Sequence, residues 1–123
     1  MLSRAIGCAG NNKNHVFVIS IPDYSLIPFA RNSDTAMIAA EIDAFNKANK
    51  NLATRAGVHY MDITPISREV KNDPSLVADD CLHPSGLQYK KRVALLAPAM
   101  QQVLQQYLFY ICFSYDQECV FSL

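Results

Sequence analysis

Asp80-Cys81-Leu82-His83-Pro84-Ser85 places a carboxylate three residues before an imidazole, on a segment that a proline then stiffens. Asp80 can fold back over that turn and accept a hydrogen bond from the Nδ1–H of His83. The opposite ring nitrogen, Nε2, is then free to take a proton from a nucleophile, as in a carboxylate-oriented general base of acyl transfer. Ser85 is a good helix N-cap, and Gln88 stands where the reciprocal partner of a capping box belongs. The pattern predicts His83 on a short loop pinned ahead of a helix that begins at Ser85. The same residues also suit an ordinary polar turn with Asp80 as its turn-former. Cys81 lies between the pair, but side chains two apart usually diverge, so it is a poor nucleophile candidate. Asp79, Asp80 and His83 make a poor closed metal-ligand set, and no other His/Cys cluster completes it; no metal site is expected.

The elements that must position this pair alternate between helix and strand. Leu2, Ala5, Ile6 and Ala9 repeat at helical spacing, and Gly10 can close that helix in a left-handed cap. After an Asn-rich turn, Val16–Ser20 is a continuous β-prone apolar run, as expected of a parallel strand buried on both faces. Pro22 ends it. Ligands in open α/β sheets bind beyond the carboxyl ends of strands, so Ser20, Asp23 and Tyr24 are candidates for a pocket wall. Pro22-Asp23 reads equally as a plain turn. Ser33 or Asp34 can cap the next helix, whose apolar stripe is Ile38, Ile42, Phe45, Ala48 and Leu52 and which Gly57 ends. That stripe is core, not a cofactor box, and no cofactor is expected.

Val58–Ile63 is a second strand, stopped by Thr64-Pro65, and His59 within it reads as a satisfied structural histidine. Residues 66–82 are expected to be a loop with a helical turn around Ser67–Val70. The last helix presents Val93, Leu96, Met100, Val103 and Leu104, with a kink expected at Pro98. The aromatic stretch Tyr107–Tyr115 either prolongs that helix, with a loose end after Ser114, or adds a strand; the helical extension is preferred. This predicts one domain over residues 1–106 and an atypical tail over 107–123. The order argues an α/β fold with parallel strands.

Half of the 123 residues are hydrophobic and 18% are charged, the composition of a globular chain. Eleven basic residues balance eleven acidic ones, which gives no electrostatic case for nucleic acid or an anionic membrane. The four cysteines form no C-x-x-C pair, and free thiols are expected. Neither a signal peptide nor a run of about 20 apolar residues is visible, so a soluble, cytoplasmic chain is the default expectation.

Ser20-Ile21-Pro22-Asp23-Tyr24, Glu41-Ile42-Asp43-Ala44-Phe45-Asn46, Asp62-Ile63-Thr64 and Leu82-His83-Pro84-Ser85 together resemble the C-terminal half of the SGNH (GDSL-type) hydrolases. These are serine esterases and lipases with a three-layer α/β/α, flavodoxin-like fold. The resemblance runs from about Leu2 to Leu104, and D-x-x-H-P is its most specific piece. It implies that Asp80 and His83 match the family's catalytic Asp and His. It also implies that the chain supplies the last two parallel strands of the sheet and that the substrate is a small-molecule ester. The family's G-D-S nucleophile and its oxyanion-hole glycine and asparagine have no counterpart here: there is no G-D-S, and Asn11-Asn12 sits in a polar turn. The resemblance therefore implies acid and base without nucleophile or oxyanion hole. The alternative is a non-catalytic interaction domain or an inactive remnant of that fold.

In such a fold the Val16–Ser20 strand has neighbours on both sides, and only one of them is present. An apolar edge without lysine or internal proline invites pairing. The chain is expected to associate through this edge with itself or with a separately supplied N-terminal half, or to fold its Tyr107–Tyr115 tail over the gap. Light scattering after size exclusion tests this; a monodisperse monomer that still melts sharply after deletion of residues 107–123 contradicts all three.

Overall fold

The computed structural model describes residues 1–118, with side chains up to residue 106. It is an α/β chain built on a two-stranded parallel sheet. Strand β1 (Phe17–Ile19) lies beside β2 (His59–Met61), with Phe17 opposite His59, Val18 opposite Tyr60 and Ile19 opposite Met61. The His59 N–H donates to the Val16 carbonyl and the Ser20 N–H to the Met61 carbonyl, so the ladder outruns the strands at both ends.

The parallel connection needs a crossover, and α2 (Thr35–Ala56) provides it. Its start is fixed by Asp34, whose Oδ1 accepts from the Met37 N–H at 2.9 Å. Its end is fixed by Gly57 at φ 71°, the left-handed cap that glycine adopts without steric cost. A short helix, α1 (Leu2–Cys8), precedes β1 and closes through Gly10 and Asn11, both left-handed.

After β2 the chain is more ordered than the loop expected over residues 66–82. α3 (Thr64–Arg68) is followed by 3₁₀ turns at Glu69–Lys71 and Pro74–Leu76. Asp73 explains the second of these, since its Oδ1 caps the Ser75 N–H and Pro74 takes the first helical position. α4 (Gly86–Glu118) then runs as one helix across Pro98 and past Ser114. The backbone of the aromatic stretch thus extends the helix instead of adding a strand.

Burial departs from the sequence pattern in one systematic way. α2 buries Ile38, Ile42, Asn46 and Ala53. Phe45 and Leu52, expected in its core stripe, are 62% and 57% exposed, and Ala48 is exposed too. The buried face is therefore turned by about one residue, toward Asn46. β1 is likewise not buried on both faces: Phe17 and Val18 are half-buried and Ile19 is exposed. On α4, Val93 and Leu104 are exposed, whereas Leu96, Met100 and Val103 are half-buried. Two three-residue strands offer too little area to cover these stripes, and α1 buries no residue. Among the described residues the core divides into two small clusters, Ile27–Val70–Leu76 with Val77 packed on it, and Ala30–Ile38–Ile42. Among the described residues, no helix is long and apolar enough to cross a membrane.

The turn of α2 toward Asn46 has a polar cause. Asn46 Oδ1 accepts from the Ile21 N–H at 2.7 Å, while its Nδ2 donates to the Ile21 carbonyl and to Thr64 Oγ1, both at 2.9 Å. One amide thereby satisfies both backbone groups of the residue just beyond β1. Removing it leaves the Ile21 N–H without a partner, at about 1–3 kcal/mol where water does not reach it, and takes one partner each from the Ile21 carbonyl and Thr64 Oγ1, which keep others. Asn46→Ala is expected to cost about 2 kcal/mol or more in urea unfolding. Phe45→Ala, which removes a larger but exposed side chain, is expected to cost less than about 1 kcal/mol. The reverse order would mean that Phe45, not Asn46, faces the core in solution.

Candidate active site

The loop that carries His83 is closed at its base. The Ala78 N–H donates to the His83 carbonyl at 2.8 Å, and Val77 and Pro84 form an antiparallel bridge beneath it. Inside the loop Cys81 adopts φ 62°, a left-handed conformation unusual for a residue with a β-carbon. That reversal turns the chain back over Asp80. The Asp80 Oδ1 accepts from the backbone N–H of Leu82 at 3.0 Å and of His83 at 2.9 Å, while Oδ2 meets His83 Nδ1 at 2.6 Å. The carboxylate is thus held at both oxygens. The Phe29 N–H donates to the Cys81 carbonyl and ties the loop to the Pro28–Ala30 turn.

These donors set the charge of Asp80. The His83 amide, the His83 ring and the Leu82 amide together lower its pKa from 3.8 to about 2. Asp80 is therefore ionised throughout the neutral range, as a group that orients an imidazole and stabilises imidazolium must be. Both side chains are exposed. With Nδ1 committed to Asp80, Nε2 is the nitrogen left to face a reacting group, and among the described residues no hydrogen bond reaches it.

Behind the loop, half of the expected capping box forms. The Ser85 Oγ accepts from the Gln88 N–H at 3.4 Å, but the Gln88 side chain does not return to Ser85. The Ser85 N–H instead donates to the Leu76 carbonyl at 2.9 Å. Gln88 is buried, and its Nε2 donates to that same carbonyl at 3.2 Å. Its Oε1 accepts from Arg92 Nη2, one helical turn on.

His83, Tyr24, Asp23, Ser67, Gln88 and Arg92 share a cleft of about 70 Å³. Two of the three residues proposed for a pocket wall are therefore there. Tyr24 is exposed at its rim. Asp23 is buried and acts as a bracket: its Oδ1 accepts from the Ser25 N–H, its Oδ2 from Arg68 Nε, and its own N–H donates to Ser67 Oγ, each at 2.8 Å. Burial pushes its carboxyl up, but the bonds from Ser25 and Arg68 outweigh burial and hold it below the usual range.

The third, Ser20, lies elsewhere. Its hydroxyl is buried at the carboxyl end of β1, donating to Asp62 Oδ1 at 2.8 Å and accepting from the Ile63 N–H at 2.8 Å and Thr64 Oγ1 at 2.9 Å. It knits the two strand ends together instead of lining the cleft. His59 also differs from expectation. It stacks on Phe17 with ring centroids 4.5 Å apart, and its Nε2 is buried without a hydrogen-bond partner.

Sequence reasoning missed Arg92 and gave Gln88 only a capping role. Their i, i+4 spacing, beginning at the N-cap signal, was the available clue. Among the described residues, no cluster of three or more His, Cys, Asp or Glu side chains could hold a metal. Cys8 and Cys81 are free thiols, and the Cys81 Sγ contacts the Asp79 carbonyl at 3.8 Å. Cys112 and Cys119 lie outside the described side chains. The chain matches no protein-family model, no curated protein and no solved structure.

The lowered pKa of Asp80 carries a sign. A carboxyl depressed in the folded state stabilises the fold above its unfolded value, here 3.8, and that contribution is lost as pH falls through about 2. Backbone amides from Leu82 and His83 supply much of the shift, and they survive truncation of the ring. A carboxylate NMR titration of His83→Ala is expected to leave Asp80 still below the ordinary range, though higher than in the parent chain. A full return to 3.8 would overturn the account in which loop amides hold the carboxylate.

Proposed function

We propose that this chain carries the acid–base part of a serine ester hydrolase of the SGNH type, on part of a three-layer, flavodoxin-like α/β/α sheet. His83 takes the proton of an attacking serine as the acyl carbonyl is engaged, then delivers it to the leaving alcohol. Asp80 holds the tautomer and stabilises the imidazolium. The observation that supports this reading is the 2.6 Å contact between His83 Nδ1 and an Asp80 carboxylate that two backbone amides already fix.

The nucleophile comes from a serine other than Ser20, Ser67 and Ser85. Ser20 is committed to Asp62, Ser67 donates to the Thr64 carbonyl, and Ser85 caps α4. Without a positioned nucleophile and oxyanion donors, the covalent route is lost. The second reading, a non-catalytic interaction domain, draws support from the uncovered apolar stripes of α2 and α4.

The chain alone is expected to hydrolyse p-nitrophenyl acetate no faster than its His83→Ala variant. When it is mixed with a polypeptide bearing a G-D-S serine strand and an oxyanion segment, ester hydrolysis is expected to appear. It should fall about 100-fold or more in Asp80→Asn and His83→Ala, the scale of losing positioned acid–base help. Stoichiometric phosphonylation of Ser20, Ser25 or Ser85 in the chain alone would show that the nucleophile has been misplaced. Reconstituted activity indifferent to His83 would remove the hydrolase reading itself.

A further inference from the structure

Arg92 is a cation of the His83 cleft, and its charge is unanswered. Two other basic side chains, on α3 and α4, are paired. Arg68 meets Asp23 at 2.8 Å and Asp43 at 2.7 Å, and Lys91 meets Glu69. Among the described residues no carboxylate pairs with Arg92. Its hydrogen-bond acceptor is a neutral amide oxygen, Gln88 Oε1, and its guanidinium lies 5.5 Å from the centroid of the Tyr89 ring. Its Nε is buried with no acceptor and out of reach of the cleft, so the Nη groups are the donors that a ligand could meet. Buried donors without partners are rare and costly, and a charged group raises the cost.

The placement of the guanidinium is built. Gln88 is itself buried, and the Leu76 carbonyl fixes its amide through Nε2, so Oε1 is directed at Arg92. Burial pushes the guanidinium pKa down, opposed by Tyr89. An arginine starts so high that it keeps its charge at neutral pH regardless. The carboxylate that lines the cleft, Asp23, is answered by Arg68. Of the charged residues that line the cleft with His83, Arg92 is thus the one whose charge no neighbour answers; Asp80, also ionised, is not part of that lining. The cleft's volume of about 70 Å³ suits a small planar group and not a long chain.

The geometry points to Arg92 as a specificity-determining residue that binds a carboxylate of the substrate, so that the site takes esters carrying a free carboxylate close to the scissile bond. The planar guanidinium fork matches a carboxylate, and a charge-assisted bond of that kind is about twice as strong as a neutral one. The reaction assigned to the cleft rests on the hydrolase reading. The recognition of an anion beside His83 does not.

Binding is therefore measured without turnover, by NMR of the His83 ring and the Arg92 side chain. The probes are monomethyl succinate, which carries an ester and a carboxylate, and dimethyl succinate, which carries esters alone. The half-ester is expected to bind the parent chain at least about 5-fold more tightly than the diester. Arg92→Gln should abolish the difference, and Arg92→Lys, a point charge without the fork, should retain part of it. Equal binding of the two probes by the parent chain overturns the assignment, and needs no variant to fold. A preference that survives Arg92→Gln, in a variant whose thermal transition is intact, overturns it as well. His83→Gln is expected to keep the half-ester preference. The reconstituted esterase assay fails separately, if the hydrolase reading is wrong, while the binding preference stands.

Discussion

The structure depends on how the carboxyl ends of two short strands are tied. Three residues of parallel pairing on each side are too few to hold a sheet by backbone bonds alone. Side chains complete the joint. The buried Ser20 hydroxyl links the end of β1 to Asp62, Ile63 and Thr64 beyond β2, and Thr64 in turn meets Asn46 of α2. The carboxylate of this network is held ionised. Burial pushes Asp62 up, but the Ser20 hydroxyl and the Thr64 amide outweigh burial. A polar cluster this connected is stabilising only because its members are mutually satisfied.

The site grows outward from that joint. Two residues past Ile21, the chain reaches Asp23, which Arg68 and Ser67 of α3 clamp from the other strand's side. Arg68 also reaches Asp43 on α2, so a single guanidinium braces the loop after β1, the helix after β2 and the crossover helix. The cleft wall that Asp23 and Tyr24 provide is consequently rigid where it meets the His83 loop. The loop is in turn anchored by Leu76, fully buried, whose carbonyl receives both the Ser85 amide and the Gln88 side chain. His83 is thus exposed at its tip and fixed at its base, a useful combination for a group that must meet a reactant without moving.

The apolar surfaces tell a different story from the polar ones. Phe45 and Leu52 on α2 stand uncovered, and an apolar groove follows Met1, Leu2, Val16, Phe17 and Leu52 along the free side of β1. Among the described residues, buried side-chain polar atoms are paired except His59 Nε2 and Arg92 Nε, whereas large apolar side chains such as Phe45 and Leu52 stay exposed. Hydrogen bonds here are local to strand ends, caps and one loop, so few elements suffice for them. Covering a helix stripe takes a broad sheet.

The sequence by itself determined several features that short-range chemistry dictates. Asp34, one of two cap candidates with Ser33, and Gly57 bound α2, and the D-x-x-H spacing was enough to place Asp80 against His83 Nδ1. Each of these depends on atoms a few residues apart, whose geometry the backbone already restricts. Tertiary structure decided what depended on distant partners. It turned α2 so that Asn46 and not Phe45 faces inward, because Ile21, 25 residues away, needed its amide. It drew Ser20 out of the pocket wall to join the strand ends. It broke the capping box at Gln88 because the Leu76 carbonyl took the Ser85 amide, and so freed a buried amide to position Arg92 beside the histidine. Hydrophobic periodicity ranks side chains by their aversion to water, and it carries no information about which backbone groups elsewhere in the chain will be left without a partner.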